Sequence, residues 1–234
     1  VTVGGQGIPR LQELAPHPEA VAFGESQGGG AALFAAELAA TYAPQVRLLG
    51  VAAIDPPSNL GDLATHLNGG QAFGYDLMAV AGFQVAYPEL AADDRFLTSA
   101  GHAALAKVRN ECETQILSQF EYGTEATYGL AAVLHAPDFS KRLTQNTPGH
   151  VKTKVPILIV QGSADPVIPV SQSRNLVRAY CAAGDTVNGR LYPAAIHGDI
   201  MRVSLPEVIS YLQERITARR PPPSVCAHPG GAAG

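Results

Sequence analysis

The stretch from Ala20 to Pro44 constrains the fold most. Ala20 to Gly24 (AVAFG) is a short apolar run closed by glycine, which reads as a buried strand. After Ser26 comes QGGGAALFAAELAATYAP, rich in alanine and free of β-branched residues until Thr41. That composition predicts a helix closing before Pro44. Between them stands Gly24-Glu25-Ser26-Gln27-Gly28, a G-x-S-x-G pentapeptide in the strand–turn–helix setting the motif requires. In that setting small neighbours avoid clashes on a sharp turn, and the serine hydroxyl projects above the sheet edge. The Gln27 N–H then falls at a helix N-terminus, where it can donate to an oxyanion. The competing reading is a glycine-rich turn without chemistry. Gly28-Gly29-Gly30 lacks the companions of a phosphate loop, and close helix–sheet packing is its better explanation.

The same alternation recurs along the chain. Val46 to Ile54 (VRLLGVAAI) is a second buried strand, stopped by Asp55-Pro56-Pro57. Val155 to Val160 (VPILIV) is a β-branched run stopped by Gly162. Ser171 to Ala183 reads as a helix with Ser171 as N-cap and Gly184 just past its end. Gly189 to Tyr192 reads as a fourth strand. Ser204-Leu205-Pro206-Glu207 has the form of a capping box, followed at helical spacing by Val208, Ile209, Leu212 and Ile216. Buried strands alternating with helices predict an α/β domain with a mostly parallel sheet. Residues 58–150 break the pattern, with helices expected at Leu77–Val85, Leu105–Phe120 and Leu130–Leu134 and no convincing strand. The expected division is a first core part over 1–57, a helical insertion over 58–150, a second core part over 151–218 and a mobile Pro/Gly-rich tail over 219–234.

A serine nucleophile needs a base, and the base an orienting acid. The expected chain order is serine, acid, histidine. Of the seven histidines, His197 follows the fourth predicted strand and shares a sheet end with Ser26 if the strands are parallel. His66, His102, His135 and His150 fall in the insertion, His17 precedes the first strand, and His228 is in the tail. Asp165 follows the strand ending near Val160, at the strand end where ligand-facing loops gather. Its competing role is a local turn before Pro166. Asp199 is the rival acid; two residues from His197, it would have to fold back. Glu25 either lines a pocket or is solvated.

Composition excludes several classes. Sixteen Lys+Arg against twenty Asp+Glu leave a formal charge of -4, against a nucleic-acid partner. No apolar run is long enough to span a membrane. Cys112, Cys181 and Cys226 have no metal-site spacing, and neither HExxH nor an EF-hand loop is present, so no metal or other cofactor is expected. One disulfide is compatible with an oxidising compartment, and the sequence does not choose the pair. The chain begins at Val1 without the pattern of a signal peptide.

GESQGGGAALFAAELAATYAPQVRLLGVAAIDPPSNL, VPILIVQGSADPVIPVSQSRNLVRAYCAAGDTV and the later His197 resemble the secretory lipase family of α/β-hydrolases. The resemblance covers most of residues 20–200 and is weakest in the insertion. It implies an α/β-hydrolase sheet and a triad of Ser26, Asp165 and His197 acting on carboxylic esters, with Gln27 as an oxyanion donor. It also implies secretion and a helical cap over the acyl pocket. Leu77, Met78, Phe83 and Phe96 are then acyl-contact candidates beside Glu25, though for any one of them plain cap core is the stronger reading. The expected partner is a small-molecule or lipid ester.

In that family at least two strands precede the nucleophile strand, whereas here about 20 residues do. The resemblance therefore reads this chain as the C-terminal portion of a longer lipase with its N-terminal strands missing. The second oxyanion N–H, from a loop after an earlier strand, has no counterpart; one such donor is worth about 2.7–4 kcal/mol in the transition state. The AVAFG strand becomes an exposed apolar edge, which favours pairing of two copies. The alternatives are a weakly active or inactive remnant used for binding, and a serine peptidase or acyltransferase on the same fold.

Overall fold

Val51, Ala53, Ile157 and Ile159 turn one way from their strands, and Ala52, Ile54, Leu158 and Val160 the other. All eight are buried, so the sheet that holds them is covered on both faces. The structure is a computed structural model and describes residues 19–217 and 224–227. Its sheet contains β1 (Glu19–Glu25), β2 (Arg47–Ile54), β3 (Ile157–Gly162) and β4 (Val187–Tyr192), in the order β1-β2-β3-β4 and parallel throughout. One face packs on α1 (Gln27–Tyr42) and on α9 (Val170–Ala183) through Leu33, Leu176 and Tyr180. The other face packs on α10 (Ile200–Thr217) through Val208, Tyr211 and Leu212. This is the parallel α/β sheet expected from the alternation of buried strands and helices.

Parallel register brings Glu25 beside Ile54, Ile54 beside Val160 and Gly162 beside Tyr192. The segments after all four strands therefore emerge at one end. β1 lies at the sheet edge among the described residues, and its Phe23 side is 53% exposed.

Between β2 and β3 run seven α-helices: α2 (Leu60–Leu67), α3 (Gly74–Ala86), α4 (Ser99–Val108), α5 (Glu113–Phe120), α6 (Glu125–Tyr128), α7 (Leu130–Leu134) and α8 (Pro137–Gln145), with a 3-10 helix at Pro88–Phe96. They close a core of their own around Phe73, Leu77, Val80, Leu105, Leu130 and Phe139. This helical segment is tied to the sheet domain at both ends. Where it begins, the Gln172 side chain accepts from the N–H groups of Ser58 and Asn59, and the Ser58 hydroxyl donates to the Gln172 carbonyl. Where it ends, Gly149 N–H donates to the buried Glu37 carboxylate, which also accepts from the Tyr180 hydroxyl. A small apolar cluster of Leu63, Leu67 and Ile168 joins α2 to the loop after β3.

Several local expectations are corrected. The single helix expected at 105–120 is two. Asn110 turns its side chain back onto the Ala106 carbonyl, and Cys112 and Gln115 form a capping box that starts a new helix. Ser171 is not an N-cap: α9 starts at Val170, with the extended Pro169 before it. Ser204 begins no helix, because α10 starts a turn earlier at Ile200 and runs through Pro206. Its hydroxyl is buried with no hydrogen-bond partner among the described residues. Helices α2, α6 and α8 and the 3-10 segment were not anticipated. In the tail, Val225–Ala227 is a short 3-10 turn pinned to α9 by a Cys181–Cys226 disulfide, not a free end. The rest of that tail, like the first 18 residues with His17, lies outside the described residues.

Candidate active site

Ser26 sits between β1 and α1 with φ 53° and ψ -123°, a conformation L-residues seldom adopt. The surroundings impose it: Ser26 N–H donates to the Ile54 carbonyl at 2.8 Å, and Gly30 N–H donates to the Ser26 carbonyl at 3.1 Å. The turn is tight enough that a Cβ on Gly24 would lie 2.2 Å from the Gly28 carbonyl oxygen. Gly29 approaches the β2 backbone, where a Cβ would meet Ile54 O at 3.1 Å. Gly28, the last residue of the pentapeptide, faces open space. So Gly24 is the position where a side chain is excluded, Gly29 is tight, and Gly28 is open.

His197 lies in the loop between β4 and α10. Its Nε2 is 3.0 Å from Ser26 Oγ, and its Nδ1 is 2.7 Å from Asp165 Oδ2. A carboxylate oxygen can only accept, so Nδ1 carries the proton and Nε2 is left to accept from the serine hydroxyl. Asp165 is held by its own loop: Oδ1 accepts from the N–H groups of Val167 at 2.7 Å and Ile168 at 2.9 Å. The turn role and the histidine partnership expected as alternatives are both present, one per oxygen. Burial works to raise the Asp165 pKa, but hydrogen bonds to His197, Asp55 and the Ile168 N–H outweigh it and hold the carboxyl below its ordinary value. The two loops are also laced by backbone, with Ala164 N–H on the Ala195 carbonyl and Ala194 N–H on the Ser163 hydroxyl.

The rival acid Asp199 is engaged elsewhere, accepting from the Ile196 N–H at 2.9 Å. Gln27 is the first residue of α1, and its N–H belongs to the donors a helix start leaves open. Glu25 ends β1 and is half-buried. Leu77 is wholly inside the helical core, Met78 and Phe83 pack against that core, and Phe83 stacks on Phe139. Phe96 is 39% exposed, with the Arg95 guanidinium over its ring.

One neighbour was missed. Asp55, read from the sequence only as part of a strand stop, is fully buried, and its Oδ2 is 3.7 Å from His197 Nδ1. Asp55, Asp165 and His197 each offer one potential ligand atom, all within 4.8 Å of one another. A histidine nitrogen that donates its proton to Asp165 has no lone pair for a cation, so this set fits a proton network better than a metal. The available signal was its place: it follows a core strand at the same end as Ser26.

Comparison with known proteins agrees with this architecture. The family model described as secretory lipase matches residues 10–222. Lipase A of Moesziomyces aphidis is 25% identical over 205 residues, covering 83% of this chain and 44% of that protein. A secreted triacylglycerol lipase of Malassezia furfur is 30% identical over 173 residues, 70% of this chain and 33% of its own length. A Mycobacterium tuberculosis relative, 26% identical over 210 residues (88% and 47% covered), is named a probable inactive lipase. The chain thus spans less than half the length of these relatives. Candida antarctica lipase A in its closed state superposes with a TM-score of 0.83 at 23% identity, over 91% of this chain and 52% of that one. By the match over residues 10–222, this chain belongs to the secretory lipase family.

Proposed function

We propose that this chain hydrolyses carboxylic esters with hydrophobic acyl groups through a Ser26–His197–Asp165 triad. The observation that carries the reading is the continuous contact from Ser26 Oγ through His197 to Asp165, at 3.0 and 2.7 Å, within a secretory lipase family chain. His197 Nε2 takes the proton as Ser26 Oγ attacks the acyl carbon, and Asp165 stabilises the imidazolium that forms. The Gln27 N–H at the start of α1 donates to the oxyanion. His197 then protonates the departing alcohol, and water, activated by the same nitrogen, releases the acid from the acyl-serine. The helical segment over residues 58–150 serves as the cap, with 1–57 and 151–218 as the two parts of the core. Family relatives named as secreted lipases and the Cys181–Cys226 disulfide favour an extracellular site of action.

The second reading is a chain that keeps the fold but turns over weakly. It draws on the relative named as a probable inactive lipase. The test is hydrolysis of p-nitrophenyl butyrate by this chain beside Ser26→Ala, together with labelling of Ser26 by a fluorophosphonate. Activity and labelling that both vanish in the variant support the esterase reading. A folded chain that neither turns over nor labels supports the weak-remnant reading.

A further inference from the structure

Asp55 is the buried ionisable group beside the triad that the hydrolytic scheme leaves without a task. It follows β2 with φ 42°, a conformation that Asn and Asp tolerate better than most residues. Its backbone N–H donates to the Val160 carbonyl at 2.8 Å, and its Oδ1 accepts from the Gly162 N–H at 2.8 Å. Among the described residues no N–H or hydroxyl donates to its buried Oδ2, which faces Asp165 and lies 3.7 Å from His197 Nδ1. Two carboxylates facing each other inside a protein do not both stay ionised. The donors decide which one keeps the charge. Asp165 accepts three N–H bonds, from Val167, Ile168 and His197; Asp55 accepts one.

We propose that Asp55 is a positioning residue: a neutral carboxylic acid whose Oδ2–H donates to Asp165 and braces the anion that orients His197. The pair then shares one proton and carries one negative charge. An otherwise orphaned buried oxygen gains a partner, and Asp165 gains a fourth donor. Consistently, burial first, then the contact with Asp165 and the charge of nearby Glu25, push the Asp55 carboxyl up to about 9.

The proposal rests on the ester-hydrolase reading only for its activity arm, so the test has arms that need no turnover. Wild type, Asp55→Asn and Asp55→Ala are compared in the full chain, with Asp76→Asn as a control for a second buried carboxyl. At pH 7 the infrared difference between wild type and Asp55→Asn should show loss of a protonated-carboxyl carbonyl band distinct from the Asp76→Asn difference. The pH midpoint at which the His197 ring resonances move should be the same in wild type and Asp55→Asn, because a neutral donor replaces a neutral donor. In turnover, Asp55→Asn should match wild type, and Asp55→Ala should lose about tenfold or more in kcat with little change in KM. The proposal is overturned if the carbonyl band is absent. It is also overturned if the His197 midpoint falls by about a full pH unit in Asp55→Asn, as removal of a charge would require. A His197 midpoint that moves on adding EDTA would replace the shared proton with a cation. If Asp55→Ala does not fold, the Asn arms decide. If wild type is folded but inactive, the hydrolase reading fails while the infrared and resonance arms still judge Asp55.

Discussion

His197 Nε2 meets Ser26 Oγ at 3.0 Å across 171 residues of sequence. The contact exists because both residues leave the same end of one parallel sheet, Ser26 after β1 and His197 after β4. Replacing His197 by Ala removes the base that reaches Ser26 in the proposed mechanism. Ester hydrolysis should fall by about 10⁴-fold or more in kcat, and combining it with Ser26→Ala should cost little further. The check is steady-state kinetics alongside thermal unfolding; a variant within tenfold of wild type would remove His197 from its role.

The glycines of the turn should separate sharply. A methyl on Gly24 would press to 2.2 Å from the Gly28 carbonyl oxygen, which is backbone and cannot move aside, whereas one on Gly28 meets nothing within 4 Å. Gly24→Ala should destabilise by at least about 1–3 kcal/mol and lose fluorophosphonate labelling. Gly28→Ala, inside α1, should be neutral or gain up to about 1 kcal/mol. Urea unfolding of the two variants distinguishes them.

Asp76 sets a pH dependence of stability. It is 3% exposed in the helical core, and burial, followed by the charge of Glu125, pushes its carboxyl up to about 8 from 3.8. The folded state therefore binds a proton that the unfolded chain releases. Stability is full below about pH 4 as far as this group is concerned, and falls as pH rises to about 8 by up to roughly 1.4 kcal/mol per unit. Asp76→Asn should flatten that slope by one proton's worth. Unfolding free energies at pH 5, 6.5 and 8 test it; equal slopes in both proteins would refute the assignment.

The disulfide gives a thiol count. Cys181 and Cys226 are joined and Cys112 is exposed and free, so unreduced protein should react with one equivalent of a thiol reagent and reduced, denatured protein with three. With the joined cysteines separated by 45 positions in sequence, reduction should cost up to about 4 kcal/mol, seen as a lower midpoint in denaturant.

What was legible in the sequence was local. AVAFG, GESQG and the alanine-rich run after it carry their conformations in adjacent residues, so β1, the Ser26 turn and α1 could be read directly. Asp165 and His197 could be nominated because each stands just past a strand. What stayed hidden depends on distant partners. The break at Asn110 is the local exception: its side chain turns back onto Ala106 four residues earlier, and Cys112 restarts the helix. Ser204 looks like a cap, but tertiary packing extends α10 by a full turn before it. Asp55 looked like punctuation before two prolines. Its closeness to His197 arises only when β2 lies beside β3 and the Gly162 N–H turns toward it.

The Cys181–Cys226 bond has a topological consequence as well. It closes a covalent ring that contains β4, the His197 loop and α10. Pro193 and Ala194 lie exposed on that ring, where a peptidase could nick the chain. A single cut there would leave the histidine on a piece still bonded through sulfur to the piece holding Ser26 and Asp165. In a protease-rich setting the molecule could therefore lose main-chain continuity at this turn without shedding any member of its proposed triad.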